Sequence, residues 1–461
     1  MKQRGNFRTS ATLATLALAL LAGCAQTTPS VAENPLPSPP AAAASADNSQ
    51  MQAVQPPAGD QTTGQFEAPP IVNASDLLPA AALSGPGFYV QQQVATNGAM
   101  GEYTIVADAS VFHDDAGSYH VESLDLLKIR LAEIPAIAQL ENVRKSEVFA
   151  KALASSAARP VEDAAQMVIH PMDTVTGLPS GIGEFFGRVK MGGEAVYSTA
   201  TNSSESGGQR ASQTAGETAN ITLTALGYDQ VRRDLARKLH VDPYTTDPIL
   251  TKKLNSVAWV MFSARLAVNT TISVMVPGSM LITGVEITDD LVYQTPRADL
   301  ILLVEKKLKK LGLSDSEIAA FSHNPAIPLS LQVAAVRDLE SLGPIPGRHS
   351  TAVALSDLIT EYQVRFLVTS IRMLAEWGQQ KSPITGIRMQ GVLVGTDQNG
   401  TVIMPAPVDY VSWTPRIAGF ATDPNLLALQ NRVLWLPAGM TPLARQQFTA
   451  NGWTLHESAQ P

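Results

Sequence analysis

The rhythm of hydrophobic and polar positions changes three times along the chain. Phe88-Tyr89-Val90 opens an extended segment, Asn97-Gly98 supplies the positive φ that a hairpin turn needs, and Tyr103-Thr104-Ile105-Val106 returns as a β-branched strand. Val111-Phe112 and Tyr119-His120-Val121, on either side of His113-Asp114-Asp115-Ala116-Gly117, read as a second hairpin. The spacing then becomes helical. Ser123 caps a segment carrying Leu124, Leu127, Leu131 and Ile134, and Pro135 is expected to kink it or begin a new helix. Ile137, Leu140, Val143, Phe149 and Leu153 continue the stripe, and Pro160 opens a further helix that His170-Pro171 ends.

Further helical faces follow. Tyr228, Val231, Leu235 and Leu239 mark one, and Leu250, Leu254, Val257 and Met261 another, which Asp247 caps and Pro248 opens. Residues 256–284, the most apolar part of the body, read as a buried helix and an extended segment; Arg265, Asn269 and Pro277-Gly278 oppose a membrane span. Residues 298–311 predict a helix stopped by Gly312. Ser314-Asp315-Ser316-Glu317 is a capping box, and 331–342 form a helix closed by Gly343-Pro344. The longest helix is expected over 351–377, ending at Gly378. Alternation returns at Met389–Val394 and Thr401–Met404 around Asp397-Gln398-Asn399-Gly400, a hairpin. Tyr410–Trp413 reads as another strand, and Val433–Leu436, a short helix at 442–449 and Trp453–His456 close the chain as strand, helix, strand.

The pattern therefore predicts a mixed α/β chain of the α+β class, with antiparallel strand groups at both ends and a large helical middle. Exposed strand edges favour a single sheet shared by the two groups. The expected divisions are 85–191, strands followed by helices; 192–220, a Gly/Ser/Thr-rich loop; 221–380, helical; and 381–461, strands with a short helix.

The first 84 residues follow another logic. Lys2, Arg4 and Arg8 precede a short apolar run from Ala11 to Leu21, and Leu21-Ala22-Gly23-Cys24 closes it. Charged flank, apolar core and small-residue site are the layout of a secretory signal. Leu-Ala-Gly-Cys resembles the lipobox of bacterial lipoproteins, a resemblance confined to residues 1–24. It implies that residues 1–23 are a signal peptide and that Cys24 becomes the acylated first residue of the mature chain. Ala25, rather than Asp, implies sorting to the outer membrane, with the body in the periplasm or at the cell surface. Residues 24–84, rich in Pro and Ala, read as a lipidated spacer without a core of its own.

Composition narrows the chemistry. Cys24 is the only cysteine, so its acylation would leave a body without disulfides, thiolate metal ligands or a thiol nucleophile. Loss of Lys2, Arg4 and Arg8, with no acid among residues 1–23, takes the formal charge from −8 to −11, which opposes a nucleic-acid partner. His113, Asp114, Asp115 and His120 are the densest set of metal-ligand types, but a solvated turn explains them. Gly177–Arg188 has no phosphate-loop ending and reads as a glycine turn; its Phe185-Phe186 would also suit membrane insertion. Arg232, Arg233, Arg237 and Lys238, partly balanced by Asp229 and Asp234, read as a solvated basic face rather than an anion site. Asp242, Thr245 and Asp247 read as capping groups rather than cation ligands, and Glu133 with Glu141 as a solvated helical pair.

No catalytic, cofactor or metal residue is assigned, and no cofactor is implied. The expected role is a membrane-anchored envelope protein with a binding or structural function, held by its acyl chains and meeting an envelope protein partner. The alternatives are an envelope hydrolase with a site assembled from distant residues, and a membrane-perturbing protein using residues 177–188.

Overall fold

The computed structural model describes residues 66–68, 71–157, 227–268 and 290–457. The expected Pro160 helix, the 177–188 turn, the 192–220 loop and the extended segment after residue 268 lie outside them, as do residues 1–65 with Cys24.

The α+β class holds. Strands β1 (Ile71–Asn73), β2 (Ser84–Gly85), β3 (Phe88–Val90), β4 (Gln93–Thr96), β5 (Gly101–Ala107) and β6 (Gly117–Glu122) form an antiparallel amino-terminal sheet. β5 is its centre, pairing with β4 and β3 along one side and with β6 along the other. Its burial alternates along its length, and Tyr103, Ile105 and Ala107 face a core shared with Phe88, Val90, Val94 and Val121. Because β1 pairs with β4, the folded body begins well before residue 85, and the expected spacer is shorter than 24–84.

The second predicted hairpin has only one of its strands. Asp108 accepts the Ser110 N–H and starts a helical turn at Ala109–Phe112 where a strand was expected; a second turn at His113–Asp115 leads into β6. The side-chain cap after Ala107 outweighs the β propensity of Val111 and Phe112.

α1 (Leu124–Lys145) runs unbroken through Pro135, with buried residues almost all round it. It packs beneath the sheet and against α2 (Glu147–Ala157) and α4 (Pro248–Ser263), and of the two outcomes expected at Pro135, a kink or a new helix, the new helix does not form. α3 covers 227–239. Asp247 caps α4 and Pro248 opens it, as the sequence predicts.

A helical layer follows: α5 (Arg297–Lys310), α6 (Asp315–Ser322), α7 (Leu329–Ser341), α8 (Arg348–Ser356) and α9 (Glu361–Gln380). The capping box at Ser314 and Glu317 is present. The single helix expected over 351–377 is two helices. A second box, Thr360 with Gln363, starts α9, Ile359 between them is 72% exposed, and α9 runs past Gly378.

The carboxy-terminal strands β7 (Ile384–Gln390), β8 (Val392–Asp397), β9 (Val402–Pro405), β10 (Arg432–Leu436) and β11 (Thr454–Glu457) form their own sheet, in the order β11-β10-β9-β8-β7. The expectation of one shared sheet is thus corrected: each group satisfies its strands internally. β7 to β9 are antiparallel, while β9–β10 and β10–β11 are parallel. α10 (Pro415–Ala421) and α11 (Pro442–Ala450) carry the chain back between these parallel strands. Gly391, at φ +73, splits the expected 389–394 strand into a tight β7–β8 turn. Tyr410–Trp413 is not a strand; it holds one bridge, Val411 to Met440.

This sheet is covered on both faces. Ile403, Val433 and Trp435 turn toward α7 and α9, whereas Val402, Met404, Leu434 and Leu436 turn toward α10 and α11. The strand period of two therefore divides one sheet between two cores.

Gly347 precedes α8 at φ +95, and a Cβ there would lie 1.7 Å from the Ile387 carbonyl oxygen. Gly347→Ala is therefore expected to destabilise the protein by at least about 3 kcal/mol, read as a lower urea midpoint with an unchanged slope.

Candidate functional site

The helices and sheets meet at three polar junctions. The first begins on α1. Ile129, Glu133 and Ile137 fall on one row at helical spacing, and Glu133 is as inaccessible as its apolar neighbours, at 0% exposure. The solvated pair expected of Glu133 and Glu141 is therefore corrected. Arg130 Nη1 donates to Glu133 Oε2 at 2.9 Å, and its Nη2 donates to Glu361 Oε2 on α9 at 2.8 Å. The Thr245 hydroxyl donates to Glu133 and the Thr246 hydroxyl to Glu361. Arg365 Nε adds a 2.7 Å bond to Glu361 Oε1. Close by, Asp242 accepts the Tyr244 N–H at 2.7 Å and the hydroxyl of Ser330 on α7.

Two guanidiniums, Arg130 and Arg365, thus face Glu133, Glu361 and Asp242, with the charge of Asp247 also acting on Glu133 and Arg130, an unbalanced set for a buried place. Burial pushes Glu133 up to about 7, against the pull of Arg130 and the Thr245 hydroxyl. Burial also raises Asp242. It opposes the charge on Glu361 as well, but Arg365 and Arg130 outweigh it and hold that carboxyl low. Protonating Glu133 relieves part of this excess of negative charge, leaving Arg130 and Arg365 opposite Glu361, Asp242 and Asp247. Hydroxyls and guanidiniums already occupy the carboxylate oxygens, so the chemistry available is proton exchange at Glu133. The sequence-predicted trio separates here: Asp247 caps α4, Asp242 closes its own turn, and Thr245 serves Glu133.

The second junction gathers the candidate metal-ligand types with lysines. Lys253, 3% exposed on α4, lies 3.0 Å from Glu141 and 3.4 Å from Asp115. His113 lies 3.7 Å from Glu141 and 2.7 Å from Lys145 Nζ, while His120 pairs with Thr104. Burial opposes ionisation of Glu141, but Lys253 and Arg144 hold its carboxyl below the ordinary range. Among the described residues, no group of three or more His, Cys, Asp or Glu is placed to hold a metal ion.

The third junction is Asp409, in the loop after β9. Its Oδ2 accepts the Gly101 N–H at 2.8 Å and the Leu124 N–H at 2.9 Å, and the Tyr103 hydroxyl at 3.3 Å. It thereby holds the start of both β5 and α1. Burial pushes it up to about 6 against those N–H groups. Around it, Asp409 and Tyr410 donate backbone N–H groups to the Ala99 carbonyl, and Ser412 donates to that of Gly98. The sequence carries no local signal for this group, whose partners lie about 300 residues away. For Glu133 the signal is its place in an apolar row.

The basic face on α3 is also revised. Arg233 is buried, pairs with Asp229 at 3.1 Å and donates to the Tyr293 carbonyl at 2.8 Å. Arg237 pairs with Asp234 on the surface at 2.8 Å.

A raised carboxyl binds its proton more tightly in the folded chain than in the unfolded one. For Glu133, stability is greatest near pH 4.5 and below, falls as pH rises toward about 7, and levels above it. The span is on the order of 3 kcal/mol from this group. Urea midpoints should decline over that window, and Glu133→Gln should flatten the decline. Asp409→Ala strands buried donors and should cost at least about 3 kcal/mol, with Asp409→Asn costing less, both read by urea unfolding.

Comparison with family models, curated proteins and solved structures found no match to this chain.

Proposed function

We propose that this chain is a lipid-anchored protein of the bacterial envelope, held at the outer membrane through acyl groups on Cys24, whose body has a binding or structural role. The carrying observation is that the only cysteine stands at the end of Leu21-Ala22-Gly23-Cys24, behind a cationic flank and an apolar run. An anchor of several acyl chains holds a protein where one chain is marginal. Among the described residues, no helix is long and apolar enough to cross a membrane.

The entry of the chain into the body supports an anchored arrangement. Glu67 donates its backbone N–H to the Trp413 carbonyl at 2.8 Å, and its carboxylate accepts the Trp413 N–H and the Thr441 hydroxyl. Forty-two positions separate Cys24 from Phe66, a contour of at most roughly 150 Å. A binding or structural role is favoured over hydrolysis by how the polar groups are used. Glu133, Glu361, Asp409 and Lys253 each tie one element of the body to another. The expected partner is another envelope protein.

Cells expressing the wild-type chain are expected to incorporate labelled palmitate into it and to retain it in the outer-membrane fraction. Cys24→Ser should lose the label and stay unprocessed. Cleavage of the variant at the same bond, with unchanged fractionation, overturns the proposal.

A further inference from the structure

α3, the connector after it and the start of α5 carry positive charge that Asp229 only partly offsets among the described residues. Asp229 Oδ2 is shared between Arg233 Nε and the backbone N–H of Arg297, each at 3.1 Å. Arg232 and Arg297 instead bring their guanidinium carbons to 5.7 and 5.4 Å from the ring centroid of Tyr244. No carboxylate among the described residues pairs with either guanidinium. With Arg233 and Asp229 included, the cluster carries a formal charge of +2.

Two further atoms have no acceptor among the described residues. Tyr244 is 6% exposed, and its hydroxyl is buried with no hydrogen bond. Arg232 Nε is likewise buried and unbonded. Buried donors are almost always satisfied, and a tyrosine ring only partly offsets two cations drawn to it. As whole residues Arg297 is exposed and Arg232 half-buried, while burial of the Arg297 guanidinium lowers its pKa.

We infer that Arg232, Arg297 and Tyr244 form a binding site for a phosphate-monoester dianion. A phenolic O–H, a guanidinium Nε–H and a second guanidinium are more donors than one carboxylate accepts, whereas a terminal phosphoryl group offers three oxygens. Its two negative charges match the excess on the protein. The same phosphoryl chemistry occurs in a free phosphate monoester and in the headgroup of phosphatidic acid. The site is independent of the acyl anchor and extends the reading of the body to a ligand it would hold.

The test titrates inorganic phosphate and, separately, dihexanoyl phosphatidic acid into the full chain in a neutral detergent, following the melting temperature and the dissociation constant. Saturable stabilisation is expected in the wild type. Arg232→Gln and Arg297→Gln should each weaken binding about tenfold or more, and Tyr244→Phe about fivefold. Tyr244→Phe deletes a hydroxyl that no described residue holds, so its unliganded melting temperature should be unchanged. Arg237→Gln, on the same helix, should bind as wild type. Tighter binding of the lipid assigns a headgroup site, and equal or weaker binding assigns a soluble phosphate; both support the inference. No saturable response to either probe at about 50 mM, or equal responses in wild type and Arg232→Gln, overturns it.

Discussion

The body hangs together on a carboxylate placed where two lobes meet. Asp409 comes from the loop after β9 in the carboxy-terminal lobe, yet its oxygens accept the first N–H of α1 and the first N–H of β5. A helix start carries unpaired donors and a partial positive charge, so an anion there answers both needs. Ser123 fills the ordinary capping role by accepting the Leu126 N–H, and Asp409 adds a second acceptor from the far end of the chain. The orientation of α1 beneath its sheet is thus coupled to the carboxy-terminal lobe through a group that α1 does not itself contain.

Glu133 plays a comparable part between α1 and the helical layer. Burying charge is costly, and a pair recovers that cost only where geometry and additional hydrogen bonds are good. Arg130 meets this condition by bridging Glu133 and Glu361, while two adjacent threonines fill the remaining acceptor sites. The apolar cores are non-directional and would tolerate sliding of α1 against α9. The forked guanidinium does not, because it accepts one relative placement of two carboxylates.

Much of this was legible wherever the determining interaction is local. Asn97-Gly98, Ser123, Asp247-Pro248, Ser314 with Glu317, and the Asp397–Gly400 turn all act within a few residues of themselves, and each appears in the structure. The α+β order was legible because strand and helix periods differ. Two local signals run against the broader pattern around them. Thr360 with Gln363 starts a helix inside an apolar stripe that looked continuous, and Gly391 turns a run that alternation alone reads as straight. Other features were not readable from short spacing. The parallel pairing of β9, β10 and β11 depends on where α10 and α11 return the chain, and the roles of Glu133 and Asp409 depend on partners more than 100 residues distant.

The Glu67 contact has a mechanical consequence. Residues before it lead toward Cys24, and those after it enter β1, which among the described residues pairs only with β4. A pull from the amino-terminal side reaches Glu67 first, where bonds to Trp413 and Thr441 pass the load to the opposite lobe. An edge strand loaded from its end would peel one rung at a time. With the grip placed ahead of it, tension is shared across the body before the sheet begins to unzip.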